Sequence, residues 1–283
     1  MKIFQRPRAF KKLLRSYRRK RESVGFVPTM GYLHEGHLSL VRRSRKEHDR
    51  TVVSLFVNPL QFGAKEDLSS YPRDLSRDAA LLRNAGVDAL FAPEASILYP
   101  PDFQTKVLLP NLSKPLCGNS RPLHFSGVAT VVLKLLNLVQ PDVIYLGQKD
   151  YQQLRVIEQM VKDLEVPVKV RGCSTVREKD GLAMSSRNIR LDAEERMQAT
   201  RLSGALSLGE KLIRQGRRRS GPITQAVRRY LSMATRAKVD YVEIVDAETL
   251  LPVVQLKKGQ KVELALAVNF SKARLIDNRI IRV

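Results

Sequence analysis

The first two-thirds of the chain alternate short apolar runs with segments of helical period. Runs rich in β-branched residues have the length of buried strands, at residues 23–30, 51–58, 87–93, 142–147 and 166–172. Between these runs, apolar residues recur at spacings of three and four, which predicts amphipathic helices over residues 37–49, 75–86, 128–140 and 151–166. Strands and helices in this alternation predict a parallel, doubly wound sheet.

The pattern changes after Asn188. Residues 191–215 have the period of an amphipathic helix with Asp192 as its N-cap, and residues 221–236 predict a second helix. Three strand patterns then follow, at residues 239–250, 261–270 and 273–283. The predicted fold class is therefore α/β, with a Rossmann-like doubly wound parallel sheet and a smaller C-terminal α+β domain. The boundary falls within residues 176–188, which gives domains of residues 1–180 and 181–283.

The chain of 283 residues is strongly basic, with a formal net charge of +22. Much of this charge lies in residues 1–21 and in the cluster Arg217–Arg219. Neither run has an interleaved aromatic stacking pattern or a recognisable RNA-binding signature. We therefore favour solvated helix faces over a nucleic-acid site, although an anionic small substrate would also suit such a field.

Cysteine content and hydropathy indicate the compartment. Cys117 and Cys173 are the chain's two cysteines, which favours a reducing environment over a disulfide framework. No apolar run approaches the roughly 20 residues that span a bilayer. We expect a cytoplasmic protein without a membrane partner, while the basic, acid-poor N-terminus leaves an organellar transit role open.

Polar residues follow four of the predicted strands. In an open parallel sheet, ligands bind beyond the carboxyl ends of the strands, so these residues are the first candidates for a site. The four segments are residues 29–37, 58–63, 147–153 and 184–188.

The first segment contains two of the chain's four histidines, His34 and His37. Three residues apart at a helix start, they can face one ligand beside backbone N–H groups and the positive end of the helix dipole. This arrangement favours an anion. A zinc site needs further ligands, a Walker P-loop needs Lys and Ser/Thr in place of His37 and Leu38, and simple capping histidines remain an alternative.

The other segments add groups that suit a nucleotide and a small acid. Lys149 and Asp150 pair a phosphate-binding ammonium with a carboxylate suited to a ribose hydroxyl. Residues 185–187 offer two hydroxyls and a guanidinium. Gln61 and Gln153 carry amides that bind carboxylates or hydroxyls. Asp74 and Asp78 share a predicted helix face and could meet a magnesium ion, or cap and solvate that helix instead.

Four segments together resemble the pantothenate synthetase family, whose members join pantoate to β-alanine with ATP. The segments are FVPTMGYLHEGHLSLV, VVSLFVNPLQFGAKEDLSSYPRDLSRD, LCGNSRPLHFSGVATVVLKLLNLVQPDVIYLGQKDYQQ and TVREKDGLAMSSRN. HEGH is here the HxGH motif of the nucleotidyltransferase superfamily. The resemblance covers nearly the whole N-terminal domain, whereas the C-terminal region resembles the family in length and pattern.

The resemblance implies a set of site residues. His37, His34 and Lys149 would be catalytic, with His37 as the proton donor. Gln61 and Gln153 would bind pantoate, Gln61 also lying near β-alanine. The implied ATP-binding residues are Met30, Gly31, Tyr32, Leu33, His34, Glu35, Gly36, His37, Gly147, Gln148, Lys149, Asp150, Val176, Met184, Ser185, Ser186 and Arg187. Mg²⁺ would bridge the phosphates with Asp78 as a candidate ligand, and the protein would be a homodimer.

The implied reaction has two half-reactions, which are formation of pantoyl adenylate with release of pyrophosphate and attack by β-alanine with release of AMP. Two other functions stay open at this point: a nucleotidyltransferase that stops after nucleotidyl transfer, and a basic RNA-binding module on the same fold. The chain also departs from the family pattern. Ser126 and Leu123 stand where Arg and Gly are expected, and Arg77 precedes Asp78 where an acidic residue is usual.

Overall fold

The structure is a computed structural model that describes residues 1–63 and 66–283. The chain divides into two compact units. The first comprises Met1–Ser113, Arg121–Gln148 and Gln153–Ser174, and the second comprises Lys114–Ser120, Lys149–Gln152 and Thr175–Val283. Two short segments of the first two-thirds thus belong to the second unit. The domain boundary at residue 180 stays a prediction.

The first unit contains a six-stranded, fully parallel sheet. Its strands are β1 (Lys2–Phe4), β2 (Val24–Thr29), β3 (Arg50–Leu55), β4 (Ala89–Phe91), β5 (Val143–Gly147) and β6 (Lys169–Cys173). They lie in the order β1-β4-β3-β2-β5-β6. The strand order therefore reverses direction between β2 and β5, which is the position where doubly wound sheets bind ligands.

Helices connect these strands and continue into the C-terminal part. They are α1 (Pro7–Arg19), α2 (Glu35–Glu47), α3 (Leu75–Asn84), α4 (Ala95–Leu98), α5 (Pro110–Ser113), α6 (Cys117–Ser120), α7 (His124–Val139), α8 (Tyr151–Asp163), α9 (Ala193–Ala199), α10 (Arg201–Arg214) and α11 (Ser220–Leu231). Short 3₁₀ turns cover Pro59–Gln61, Gln148–Asp150 and Ser186–Arg190.

The N-terminal β1 and α1 are part of the first unit, although the sequence pattern did not predict them. Phe10 of α1 is fully buried and stacks on Phe91 of β4, with ring centroids 4.7 Å apart. Pro7 begins α1, where its missing N–H leaves no hydrogen bond unmade. β1 is not part of a longer apolar run, unlike the equally short β4, which lies within the predicted run of residues 87–93. α1 is densely basic.

The second unit contains an antiparallel sheet of β7 (Lys238–Asp246), β8 (Lys261–Asn269) and β9 (Arg274–Arg282). One face of the central strand β8 carries alternating apolar side chains, all fully buried: Val262, Leu264, Leu266 and Val268. They form one core with apolar residues of α10 and α11. The period of two along β8 therefore buries one face of this sheet under two helices.

The predicted fold class is confirmed: an α/β unit with a parallel sheet is followed by a smaller α+β unit. One helix prediction was wrong in detail, because residues 191–215 form two helices that meet at Thr200 rather than one. Asp192 does begin the first of them, as predicted, and forms a capping box with Glu195. Within the described residues, no helix has both the length and the apolar character needed to cross a membrane.

Candidate active site

His34 and His37 lie at the start of α2, directly beyond the carboxyl end of β2. His34 is the N-cap, and its Nδ1 accepts a hydrogen bond from the backbone N–H of Gly36 at 3.1 Å. The Nδ1 of His37 in turn accepts the backbone N–H of His34 at 3.4 Å. The two rings lie 4.1 Å apart. The histidines thus form a reciprocal capping box, a role usually filled by Ser or Thr with Glu or Gln.

The capping box fixes the tautomer of both imidazoles. A backbone N–H can only donate, so each Nδ1 must act as the acceptor, and a neutral ring then carries its proton on Nε2. Both rings therefore offer an Nε2–H donor. The sequence predicted that backbone N–H groups would face the ligand here, whereas those of His34 and Gly36 are bonded within the box. The imidazoles, together with the helix dipole, supply the positive character of this site.

The turn between β2 and α2 has an unusual backbone. Gly31 has a φ of +89° and Tyr32 a φ of +53°, so a non-glycine residue adopts the left-handed region. Asp78 of α3 holds this turn in place. Its carboxylate accepts the N–H of Tyr32 at 2.7 Å and that of Leu33 at 2.8 Å. The carboxylate therefore fixes the backbone directly before the two histidines.

Asp78 is 1% exposed, and burial raises the pKa of its carboxyl group against the opposing effect of the two N–H groups. Arg77 lies alongside, 3.4 Å from the carboxylate, and donates to the carbonyl of Leu33 at 2.9 Å. Its guanidinium also stacks over the ring of Tyr32. Arg77, which departs from the family pattern, thus helps to hold the same turn.

The proposed metal role of Asp78 stays a prediction, and the geometry favours a different role. Both carboxylate oxygens already accept backbone hydrogen bonds, and a guanidinium lies where a second acidic residue was expected. In the part of the chain that the structure describes, no three His, Cys, Asp or Glu residues converge as a metal cage. Asp78 therefore does not fit a direct Mg²⁺ ligand.

Gln61 lies in the 3₁₀ turn that follows β3 and is 6% exposed. Asn58 caps this turn and donates from its Nδ2 to the Oε1 of Gln61 at 3.1 Å. The Nε2 of Gln61 lies 3.0 Å from the sulfur of Met30. The structure therefore brings the candidate pantoate ligand Gln61 against the first residue of the candidate ATP segment.

Two further side chains hold the backbone of Gln61, and the sequence did not identify them as site residues. His124 of α7 lies with its Nδ1 2.9 Å from the carbonyl oxygen of Gln61, so that this Nδ1 is the donor. Arg121 donates to the same oxygen at 3.4 Å and pairs with Glu66. Both residues belong to the SRPLHF stretch of the resemblance, which is the signal that could have identified them. Leu123 of that stretch is exposed.

The second unit contains seven further candidates, Lys149, Asp150, Val176, Met184, Ser185, Ser186 and Arg187. The ammonium of Lys149 lies 3.6 Å from the carboxylate of Asp150, and the carbonyl of Lys149 accepts a hydrogen bond from Asn278 at 2.8 Å. The backbone N–H of Met184 donates to the carbonyl of Val176 at 3.0 Å. Two nucleotide-contact candidates eight residues apart are thus brought together.

Ser185 begins the 3₁₀ turn that carries Ser186 and Arg187, and its Oγ accepts the N–H of Arg187 at 3.2 Å. The candidate residues divide between the units as follows. The first contains Met30, Gly31, Tyr32, Leu33, His34, Glu35, Gly36, His37, Gln61, Gly147, Gln148 and Gln153, and the second contains Lys149, Asp150, Val176, Met184, Ser185, Ser186 and Arg187.

Comparisons with known proteins identify the family. A family model described as pantoate–β-alanine ligase matches residues 2–280. The chain belongs to the pantoate–β-alanine ligase family. The pantothenate synthetase of Thermotoga neapolitana is 53% identical over 281 residues, covering 99% of this chain and 100% of that protein. The predicted family and its ligase activity are therefore confirmed.

Solved structures of pantoate–β-alanine ligases share the fold. Pantothenate synthetase from Thermus thermophilus matches with a TM-score of 0.92 and 48% identity, covering 99% of each chain. The ligase from Francisella tularensis, complexed with β-γ ATP and β-alanine, matches with a TM-score of 0.80 and 34% identity, covering 99% of this chain and 97% of that one. These matches establish the family and the fold.

Proposed function

We propose that this ligase joins pantoate to β-alanine in two half-reactions at the carboxyl ends of β2, β3 and β5. Pantoate is first activated by ATP, and the activated acyl group is then transferred to the amine of β-alanine. A carboxylate is a poor acyl electrophile, because its negative charge repels an attacking amine. Adenylation converts the poor leaving group into AMP, which is why ATP must react first.

In the first half-reaction, a carboxylate oxygen of pantoate attacks the α-phosphorus of ATP in line. A new P–O bond forms, the bond between the α-phosphorus and its bridging oxygen breaks, and pyrophosphate leaves. Negative charge then grows on the departing phosphates. Positioned donors and cations that meet this charge supply much of the catalysis in such reactions.

The tautomers of His34 and His37 carry this proposal. Each imidazole accepts a backbone hydrogen bond at Nδ1 and thereby offers an Nε2–H donor at the N-terminus of α2. Two donors at the positive end of a helix dipole suit a phosphate better than a metal, which would require an unprotonated ring nitrogen. We assign both histidines to the phosphates of ATP as Nε2–H hydrogen-bond donors, with His37 assigned to the leaving group. The family resemblance implies that His37 is a proton donor, a role that would need a protonated ring whose Nδ1 no longer accepts the N–H of His34.

The other candidates are assigned on grounds of chemistry and family resemblance. Lys149 and Arg187 would neutralise phosphate charge, and Asp150 would accept a ribose hydroxyl. Gln61 and Gln153 would bind pantoate. Mg²⁺ belongs to this proposal as an ion carried by the ATP phosphates, since Asp78 is already engaged by the backbone.

In the second half-reaction, the amine of β-alanine attacks the acyl carbon of pantoyl adenylate. The bond from that carbon to the AMP oxygen breaks, the nitrogen loses a proton, and pantothenate and AMP are released. The Francisella tularensis ligase was crystallised with a nucleotide and β-alanine, which supports both as ligands of this chain. A cytoplasmic location and a homodimer also remain part of the proposal, without a membrane or nucleic-acid partner.

The first test measures pyrophosphate. The purified protein, incubated with ATP and Mg²⁺, should release pyrophosphate once pantoate is added, and AMP and pantothenate should follow once β-alanine is present. Release of pyrophosphate that does not depend on pantoate would instead indicate a nucleotidyltransferase without an acid substrate. RNA binding that survives His37→Ala, combined with no pyrophosphate release, would favour the RNA-binding alternative.

A further inference from the structure

A chain of buried hydrogen bonds determines which end of the Gln61 amide faces the substrate. It starts at Asn58, which is 1% exposed and follows β3. The Nδ2 of Asn58 donates to the carbonyl oxygen of Gly127 at 3.0 Å, and its Oδ1 accepts the backbone N–H of Leu60 at 3.3 Å. A carbonyl can only accept and a backbone N–H can only donate. These two backbone groups therefore fix the orientation of the Asn58 amide unambiguously.

The orientation of Asn58 dictates that of Gln61. The Nδ2 of Asn58 also donates to the Gln61 side chain, which must present its oxygen Oε1 in return. The NH₂ group of Gln61 then points the other way, where its Nε2 lies 3.0 Å from the sulfur of Met30. A thioether is a weak acceptor. A carboxylate or carbonyl oxygen is a stronger acceptor and would displace this contact.

Tyr99 completes the chain of hydrogen bonds. Its hydroxyl donates to the Oδ1 of Asn58 at 2.8 Å, the shortest of the bonds to this amide. The ring is held between Phe56 and Phe103, at centroid distances of 5.9 and 5.0 Å. Burial raises the pKa of the Tyr99 hydroxyl above its usual value, so that it remains a donor. Tyr99 is therefore linked to Gln61 through Asn58.

We propose that Tyr99 is a positioning residue for pantoate recognition, which acts through Asn58 to hold the Gln61 amide with its NH₂ group toward a substrate oxygen. The inference rests on the proposed function, in which Gln61 binds pantoate. It adds a polarity to that contact: Gln61 serves as a donor, suited to a carboxylate or carbonyl oxygen, and does not serve as an acceptor. The two backbone groups set the polarity by orienting Asn58, and Tyr99, 38 positions away in sequence (99 − 61), holds Asn58 in that orientation.

Tyr99→Phe tests the positioning role, because it removes the hydroxyl and keeps the ring. The KM for pantoate should rise about threefold to tenfold, the usual effect of one lost buried hydrogen bond. The KM for ATP and the kcat at saturating pantoate should stay within about twofold. The matched control is Tyr145→Phe in the same unit, which removes a buried hydroxyl that donates to Glu47 at 2.6 Å. It should leave the pantoate KM unchanged.

A double-mutant cycle separates positioning from a general structural effect. In a Gln61→Ala background, Tyr99→Phe should have no further effect on the pantoate KM, because the group that it orients is gone. Multiplicative effects would overturn the proposal. Asn58→Asp serves as a second variant: its carboxylate cannot donate to Oε1, so the Gln61 amide should flip and the pantoate KM should rise more than in Tyr99→Phe.

Gln61→Glu tests the polarity itself. A glutamate can still accept from Asn58, but it presents a second negative oxygen to the substrate instead of an NH₂ group. Its pantoate KM should exceed that of Gln61→Ala. A Gln61→Glu variant that binds pantoate as well as the wild type would overturn the donor assignment. If the wild type itself formed no pantothenate, the proposed function would fail, whereas an active wild type with an unchanged Tyr99→Phe overturns only the role of Tyr99.

Discussion

The carboxylate of Asp78 accepts the backbone N–H of Tyr32 at 2.7 Å and thereby holds a non-glycine residue at a φ of +53°. A left-handed residue with a bulky side chain is costly and persists only where its surroundings hold it. Here the holding group lies on another helix, 46 positions later in the chain. The turn that it fixes leads directly into the two histidines of the capping box.

Asp78→Asn should loosen this turn. The amide places an NH₂ group against one of the two backbone donors, which leaves that N–H unsatisfied at a cost of about 1–3 kcal/mol. Hydrogen exchange at Tyr32 and Leu33 should accelerate, and adenylate formation should slow. The control is Asp74→Asn, which retains an N-cap acceptor for the N–H of Arg77 and should leave exchange unchanged. Unaltered exchange in Asp78→Asn would contradict the holding role.

Gly127→Ala should disturb the pantoate side of the site. A Cβ at this position would lie 2.6 Å from the backbone nitrogen of Gln61 and still closer to the carbonyl of Leu60. The turn that carries Gln61 would have to shift. We expect at least a tenfold rise in the pantoate KM, with a smaller change in the KM for ATP, measured by steady-state kinetics. Gly221→Ala in α11, where a Cβ meets no neighbour, should be silent or slightly stabilising. If Gly127→Ala and Gly221→Ala had equal kinetics, the close approach of Gly127 to the backbone of Gln61 would not be what determines pantoate binding.

Lys149→Ala should separate catalysis from substrate binding. If the ammonium neutralises phosphate charge in the transition state, its removal slows adenylate formation far more than it weakens pantoate binding. Single-turnover measurements of pyrophosphate release, together with equilibrium binding of pantoate, distinguish the two effects. The neighbouring Asp150→Asn is a useful comparison, because the role assigned to Asp150 concerns the ribose. Comparable losses of rate and pantoate affinity in Lys149→Ala would contradict its assignment.

The buried Glu263 of β8 should make stability depend on pH. It is 2% exposed, its Oε2 has no hydrogen-bond partner within the described residues, and burial raises its pKa to about 8. The folded state therefore keeps its proton at pH values where the unfolded chain has lost it. Stability should fall as the pH rises from about 4.5 to about 8, by up to roughly 1.4 kcal/mol per pH unit. Urea unfolding across this range measures the slope.

Glu263→Gln replaces the carboxyl group by an amide of the same shape that does not titrate. The free energy of unfolding of this variant should therefore not show the fall between about pH 4.5 and about 8 that Glu263 causes. The control Glu94→Gln, at an exposed position, should show the same fall as the wild type. Parallel pH profiles for the wild type and Glu263→Gln would show that the carboxyl group titrates alike in both states.

The sequence predicted the main sheet because long, apolar, regularly spaced runs dominate it. β2, β3 and β5 were predicted from such runs. β1 and α1 were missed, since β1 is not part of a long apolar run and a dense run of basic residues resembles a solvated segment. The break at Thr200 was also missed, because the apolar period continues through it.

Site residues were predictable from the sequence where they lie together in one short segment. They were not predictable where the residues in contact are distant in sequence. The HEGH motif indicated an anion site, and the capping box fixes the tautomer of both histidines in that motif. Asp78 was considered for magnesium, because a carboxylate in a sequence does not reveal whether its oxygens meet a cation or an N–H group. His124 and Tyr99 lie far from Gln61 in the chain, so their contacts with the site emerged only from the fold.

The proposed route through pantoyl adenylate makes a definite prediction about one oxygen atom. In that route, a carboxylate oxygen of pantoate becomes the bridge between the acyl carbon and the α-phosphorus. When β-alanine attacks the acyl carbon, this oxygen leaves with AMP. The other carboxylate oxygen remains in the amide of pantothenate.

The most direct measurement therefore uses pantoate labelled with ¹⁸O in both carboxylate oxygens, with mass spectrometry of the products after turnover with ATP and β-alanine. The account predicts one ¹⁸O in the phosphate of AMP, one in the amide carbonyl of pantothenate, and none in pyrophosphate. AMP without ¹⁸O, or a label in pyrophosphate, would contradict the adenylate route.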